Sequence, residues 1–192
     1  MLADRYRYRC IHIYRCRCIY KLGYVRRYCL FRGGAAFLFV FLRTGGAEPD
    51  IKKLNQLLLS GSCCSQALVS LGLTLKGEEN PSLLKASASL CLGVRSGLTC
   101  GALTGAAMMM ALFEPEAAYS EMIPELADWF QENYGEIYGG SDCRSILGDN
   151  MANKALRCPQ VVENTYRKAR ELLEDYGVDL ADLAEMLENA DD

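Results

Sequence analysis

From Ile51 onward, apolar residues recur at the spacing of helical faces. Ile51, Leu54, Leu57 and Leu58 share one stripe, which Gly61-Ser62 interrupts. Ser62 is placed to cap a second helix running through Ala67, Leu68 and Leu71. Asn80-Pro81 joins a capping residue to a proline at the first helical position, opening a helix from Leu83 to Leu92, and Gly93 to Gly97 makes the next turn. Thr99 is the expected cap of a helix from Cys100 to Phe113. Pro124 opens another through Leu126, Trp129 and Phe130, which Gly135 is expected to end. Ser141 is read as the cap of a short helical turn reaching Gly148. Cys158-Pro159 is expected to start the longest amphipathic helix, with Val162, Ala169, Leu172, Leu173 and Tyr176 on one stripe and Gly177 at its end. A short acidic helix from Leu180 to Leu187 reads as peripheral. No strand pattern emerges after Ile51. The expected fold is all-α: a compact domain of six to seven helices over residues 51–192.

The helix from Cys100 to Phe113, with its lead-in from Ser96, is uncharged and has to be weighed as a membrane span. Some fourteen residues at 1.5 Å rise cover only about 21 Å, short of a ~30 Å hydrocarbon core, so a central buried helix is expected. Gly101 and Gly105, four residues apart, would let a neighbouring helix or a cofactor approach its backbone closely. Met108, Met109 and Met110 read as core, and Trp129 and Phe130 as packing.

Residues 1–50 follow a different rule. They cycle through Arg, Tyr, Cys and Ile without a helical stripe, and carry ten basic residues against three acidic ones, a surplus of +7. With a net charge of −3 for the whole chain, residues 51–192 carry −10, an acidic balance unsuited to binding a polyanion. Three readings of the basic segment are open: an arm for stacking on single strands, a targeting peptide whose core is the apolar run from Ala35 to Leu42, or a translated nucleotide repeat upstream of the true start. The last is preferred. The segment is therefore treated as a low-complexity extension, non-native or disordered, and left out of the fold.

Of ten cysteines, four lie in the first thirty residues, and Cys63, Cys64, Cys91, Cys100, Cys143 and Cys158 lie in the domain. A domain of this size does not need disulfide staples. The single histidine, His12, is outside it, so hydrolase schemes that require a histidine base fail. Cys64, Cys100, Cys143 and Cys158 each fall in or beside the first turn of an expected helix, where unpaired N–H groups and the positive dipole end favour thiolates. If the four starts converge, their sulfurs and N–H donors suit an iron–sulfur cluster or a pair of exchange-active dithiols. Structural zinc is a third use of the same ligands. Cys63 and Cys64 point about 100° apart, so only one faces such a site. Cys91, late in its helix among apolar neighbours, reads as packing. Asp142 should oppose a thiolate at Cys143, and Arg144 should offset part of that effect.

Cys64-Ser65-Gln66-Ala67, then Cys100-Gly101-Ala102-Leu103-Thr104-Gly105, then Cys143 and Cys158-Pro159 resemble the C-GCAxxG-C-C family of redox-active proteins over about residues 51–178. The approach to the central motif, from Leu92 to Gly97, is poorer in glycine than expected for the family, and the first fifty residues have no counterpart there. The resemblance implies a small, mostly bacterial, cytoplasmic protein with a redox or metal-cluster role. The leading expectation is an iron–sulfur cluster held by Cys64, Cys100, Cys143 and Cys158, with Gly101 and Gly105 beside it, used for electron transfer with a redox partner protein. A metal-free thiol–disulfide oxidoreductase or redox sensor is the alternative, and a non-catalytic interaction module with zinc or buried cysteines a third. Neither nucleic acid nor membrane is an expected partner; self-association is compatible with the chain.

Overall fold

In a computed structural model the chain forms two units, Met1–Gly46 and Ala47–Asp192. The residues described are 15–21, 24–30, 48–180 and 182–185, with side chains from 48 onward. In the first unit, β1 (Arg15–Lys21) pairs antiparallel with β2 (Tyr24–Leu30), in a register that sets Cys16 opposite Cys29. Both runs carry Tyr with Ile or Val, residues favoured in strands, and Leu22-Gly23 separates them. The Ala35 to Leu42 run lies outside the described residues.

Among the described residues the second unit is all-α. Its elements are α1 (Pro49–Leu59), α2 (Cys64–Lys76), α3 (Pro81–Ser87), α4 (Gly101–Phe113), α5 (Pro115–Ala117), α6 (Ile123–Tyr138), α7 (Cys143–Leu147) and α8 (Asn153–Asp175). A 3₁₀ turn at Ala88–Leu90 extends α3, and a wider-wound turn at Ala118–Met122 leads into α6. Asn80 caps α3 as expected, its side chain accepting from the Leu83 N–H at 2.9 Å.

Several expected boundaries move. The N-cap of α2 is Cys63 rather than Ser62, and that of α4 is Cys100 rather than Thr99. The cap of α7 is Asp142 rather than Ser141: its carboxylate accepts from the Ser145 N–H at 3.0 Å and the Ser145 hydroxyl at 2.6 Å. Gly135 lies inside α6, which ends at Gly139 in the left-handed conformation. The longest helix starts at Asn153, so Pro159 sits inside it. The final turns are not peripheral, because Leu180 and Ala184 are buried in the core.

The helix α4 is the centre of the domain. Ala102, Ala106, Met109 and Met110 are fully buried, in line with its reading as a core helix, and among the described residues no helix is long and apolar enough to cross a membrane. α2 crosses it at close range, burying Ala67, Leu68, Val69 and Leu71. The neighbour admitted by Gly105 is α2: a Cβ at that position would lie 2.7 Å from Ser65 Cα and 3.1 Å from its carbonyl oxygen. Backbone cannot yield as a side-chain tip can.

α1 is tied to α8 by charge. The Asp50 side chain is fully buried and accepts hydrogen bonds from Arg170 Nη1 at 2.7 Å and the Tyr166 hydroxyl at 2.7 Å. Glu48 pairs with Arg167 at 2.6 Å and Arg170 at 3.2 Å. Burial alone would raise the Glu48 carboxyl, but the Arg170 and Arg167 guanidiniums hold it below its ordinary range. The acids that fasten α1 thus lie at or before the boundary read from the sequence.

Two outcomes follow from this packing. Gly105→Ala, although it raises helix propensity, should destabilise the domain by about 1–3 kcal/mol through overpacking against backbone, read from urea denaturation. Arg170→Met should cost about 3–5 kcal/mol by stranding the buried Asp50 carboxylate. Because the folded-state value for Glu48 is lowered, its stabilising contribution is complete above the ordinary value of 4.5 and is lost as pH falls through the lowered one. Stability measured against pH should therefore fall on the acid side, and less steeply in the Arg170→Met variant.

Candidate functional site

The segment that enters α4 is built from unusual backbone. Leu92, Val94 and Arg95 all hold φ of 55°, a left-handed conformation costly for residues with a Cβ and most of all for a branched one such as Val94. Gly93 is required at its position: its φ is +59°, and a Cβ would lie 2.5 Å from the Leu98 backbone. Contacts from α7 hold this segment in place. The Leu98 carbonyl accepts from the Cys143 N–H at 2.7 Å, Thr99 pairs with Asp142 in a short antiparallel bridge, and Arg144 Nη2 donates to the Ser96 carbonyl at 2.8 Å. The approaches to Cys100 and Cys143 are thereby fixed side by side.

α8 is fastened to the other end of α7. Asn153 Nδ2 donates to the Leu147 carbonyl and Arg157 Nη1 to the Ile146 carbonyl, both at 2.7 Å. These bonds satisfy carbonyls that a helix end leaves open. They also hold the first turns of α8, and with them Cys158, beside the Cys143 helix.

The four expected cysteines come to one end of the domain, but not all at helix starts. Cys64 and Cys143 occupy the first helical positions of α2 and α7, and Cys100 is the N-cap of α4. Cys158 lies inside α8. Proline is favoured at a first helical position, which is why Cys158-Pro159 suggests a start, but the helix already runs through it. Neither α2 nor α4 has a side-chain hydrogen bond at its cap. The missing oxygen caps leave first-turn N–H groups facing sulfur.

Each thiol has a distinct environment. Cys64 is half-buried, and its thiol is lowered to about 7. The main cause is the neighbouring Cys158 thiol; its own backbone N–H and the charge of Lys154 add to the effect, while burial works against it. Cys158 in turn is driven up, first by Cys64 and then by burial. The pair therefore favours a thiolate at Cys64 beside a protonated Cys158. Cys100 is buried and pushed up to about 12, with the Ala102 and Leu103 N–H groups offsetting part of the burial cost. Burial, then the charges of Cys64 and Asp142, raise Cys143, and Lys154 counters them. Asp142 thus opposes a thiolate at Cys143 as expected. The offset comes from Lys154, however, because the Arg144 guanidinium is turned to Ser96.

Lys154 stands one turn before Cys158 on α8, a relation hidden while the helix is taken to begin at Cys158. Tyr134 on α6 also escapes sequence reading. It is buried with Cys100 nearby, and burial is the main cause raising its phenol. Its hydroxyl has Asn164 and Thr165 as polar neighbours but makes no hydrogen bond of ordinary geometry.

Cys63 and Cys91 form a disulfide across 28 residues, with Cα atoms 6.0 Å apart. This corrects the reading of Cys91 as packing and of the domain as free of disulfides. No local spacing signals a bond between a helix N-cap and the end of a 3₁₀ turn. Cys64 and Cys63 do diverge, the first toward Cys158 and the second toward Cys91.

The donor set for a metal or cluster is present as four neighbouring thiols. Among the described residues, however, no group of three or more His, Cys, Asp or Glu side chains is placed to hold a metal ion. Cys64 and Cys158 influence each other most strongly, while Cys100 and Cys143 act electrostatically on Cys158. Gly101 and Gly105 lie against Cys64, Ser65 and Leu68 of α2, so their clearance is taken up by the helix.

A family profile described as "Putative redox-active protein (C_GCAxxG_C_C)" matches residues 62–172, more than half of the chain and all four of these cysteines. No curated protein and no solved structure matches. The order of the motif cysteines along the chain and their convergence at one end of a helical domain agree with that match. The chain belongs to the C_GCAxxG_C_C redox-active protein family.

Proposed function

We propose that the cysteine end is a thiol-redox centre in which Cys64 and Cys158 cycle between dithiol and disulfide. The observation that carries this reading is the close pairing of Cys64 with Cys158, whose influence is the main cause lowering the Cys64 thiol to about 7. A thiol with a value near ambient pH combines a large thiolate fraction with retained nucleophilicity. The Cys64 thiolate attacks one sulfur of a substrate disulfide, forming a mixed disulfide and releasing the other sulfur as a thiolate. Cys158 then gives up its proton to that leaving thiolate and attacks the Cys64 sulfur. The Cys64–Cys158 bond forms as the second substrate thiolate departs, to be protonated from solvent. Two electrons pass from the protein to the substrate. Lys154 supports the first step by favouring the thiolate at Cys64. A redox protein carrying an accessible disulfide is the class of partner this chemistry needs.

A second reading keeps Cys64, Cys100, Cys143 and Cys158 as ligands of an iron–sulfur cluster serving electron transfer, with zinc as the other metal. It is supported by the convergence of four thiols, three of them at helix starts rich in N–H donors. When bound, a cluster would supply one-electron transfer. The pairing of a lowered Cys64 with a raised Cys158 favours the dithiol reading.

Alkylation by iodoacetamide, followed against pH, separates these readings. One thiol, identified as Cys64 by peptide mass, should react with a midpoint near pH 7. In Cys158→Ala the midpoint should rise toward the ordinary thiol value of 9.0, because the neighbour that mainly lowers it is gone. A Cys64 midpoint unmoved by that substitution would contradict the exchange reading. Protein purified without air that is brown, with iron and sulfide in stoichiometric amounts lost in Cys100→Ser, would establish the cluster instead.

A further inference from the structure

We propose that the Cys63–Cys91 disulfide is a second redox-active pair, reversibly reduced by an external dithiol, and not a permanent staple. Neither cysteine belongs to the four-cysteine motif, and the pair stands apart from the Cys64–Cys158 exchange. Three observations point the same way.

The first is the hydrogen-bond accounting at Ser65. Its side chain is fully buried, and its hydroxyl donates its one proton to the Ser87 carbonyl at 2.8 Å. The two lone pairs of that oxygen remain, and the sulfurs that face it are Cys63 at 3.6 Å and Cys91 at 3.5 Å. A disulfide carries no S–H, so it leaves those acceptor positions without a donor. Two thiols supply one S–H each, and a hydroxyl can accept both. The buried oxygen is fully satisfied only when the pair is reduced, which favours the dithiol over the disulfide. A structural disulfide has no use for such a partner.

The second observation is access. Both Cys63 and Cys91 are only half-buried, whereas Cys100 and Cys143 are buried. The third is the place of the bond. Cys63 is the N-cap of the thirteen-residue α2, with no side-chain oxygen on the first-turn N–H groups, so its sulfur is a favoured leaving thiolate. Cys91 directly precedes the left-handed segment that leads to Cys100. The bond thus links the helix start carrying Cys64 to the loop that enters α4.

The step balances with a dithiol donor. One donor thiolate attacks the Cys91 sulfur, the Cys63–Cys91 bond breaks, and Cys63 leaves as a thiolate. The second donor thiolate attacks its own partner sulfur in the mixed disulfide and releases Cys91. The donor is oxidised to a disulfide, and its two protons finish on Cys63 and Cys91, where both S–H groups face Ser65 Oγ.

The test is a redox titration of the full chain in buffers of oxidised and reduced dithiothreitol. Samples are quenched with acid, alkylated, and assigned by tandem mass spectrometry so that Cys63 is distinguished from Cys64. The linked fraction should fall reversibly within the dithiothreitol range while far-UV circular dichroism stays constant. In Ser65→Ala the pair should need about fivefold to tenfold more reducing buffer for the same linked fraction, since the reduced state loses its acceptor. A bond that survives the whole range until the protein unfolds would overturn the proposal. So would free Cys63 and Cys91 in fully oxidised buffer. An unchanged midpoint in a folded Ser65→Ala would overturn the role of the hydroxyl. The wild-type titration decides reversibility without any variant, and Cys64–Cys158 linkage is read separately in the same spectra.

Discussion

The contact on which the site depends is the crossing of α2 over α4 at Gly105. Because the Ser65 backbone lies where a Cβ would otherwise stand, the two helix starts are drawn together, and Cys64 and Cys100 end at the same height. The central motif therefore does two jobs with one spacing. Its cysteine begins the helix, and its glycine, five residues later, admits the neighbour that brings the next thiol. Small residues serve here because α4 is buried on most sides and has no other way to bring a second backbone close. Ser65 is fixed by the same contact, which places its hydroxyl against Cys63 and Cys91 on one side while Cys64 faces the thiol cluster on the other.

Two secondary restraints extend this arrangement. The paired approaches to α4 and α7, through Leu98, Thr99 and Asp142, set Cys143 beside Cys100. Arg157 and Asn153 then carry α8 onto the end of α7 and bring Cys158 within reach of Cys64. At the far end of α8, Arg170 binds the buried Asp50, so the long helix is anchored at both ends. Strain in the left-handed segment from Leu92 to Arg95 is held by these same contacts, which is consistent with a loop that positions chemistry.

Much of this was legible in the sequence. Helical periodicity after Ile51 gave the fold class, because apolar stripes of period 3.6 leave few alternatives in an acidic domain. The four cysteines of the family motif were identifiable from their order. Capping residues were less reliable guides. Ser62, Thr99 and Ser141 each attract a helix start by one position, whereas the actual caps are Cys63, Cys100 and Asp142. The cysteines at the caps of α2 and α4 forgo an oxygen partner and leave first-turn N–H groups without a side-chain acceptor. Pro159 misplaced Cys158 by hiding the turn from Asn153 onward, and with it Lys154. The Cys63–Cys91 bond and the Asp50–Arg170 pair join residues 28 and 120 positions apart. Such partners are set by tertiary packing, and no local pattern records them.

The dithiol reading of the cysteine end is tested most directly by mapping disulfides after limited oxidation. The fully reduced chain is treated with one equivalent of a small disulfide oxidant and trapped by alkylation. Bonds are then assigned by mass spectrometry, with any Cys63–Cys91 linkage counted separately. Among Cys64, Cys100, Cys143 and Cys158, the bond that forms first should be Cys64–Cys158, leaving Cys100 and Cys143 as free thiols. A first bond between Cys100 and Cys143, or four thiols that stay free while the oxidant is consumed elsewhere, would contradict the assignment.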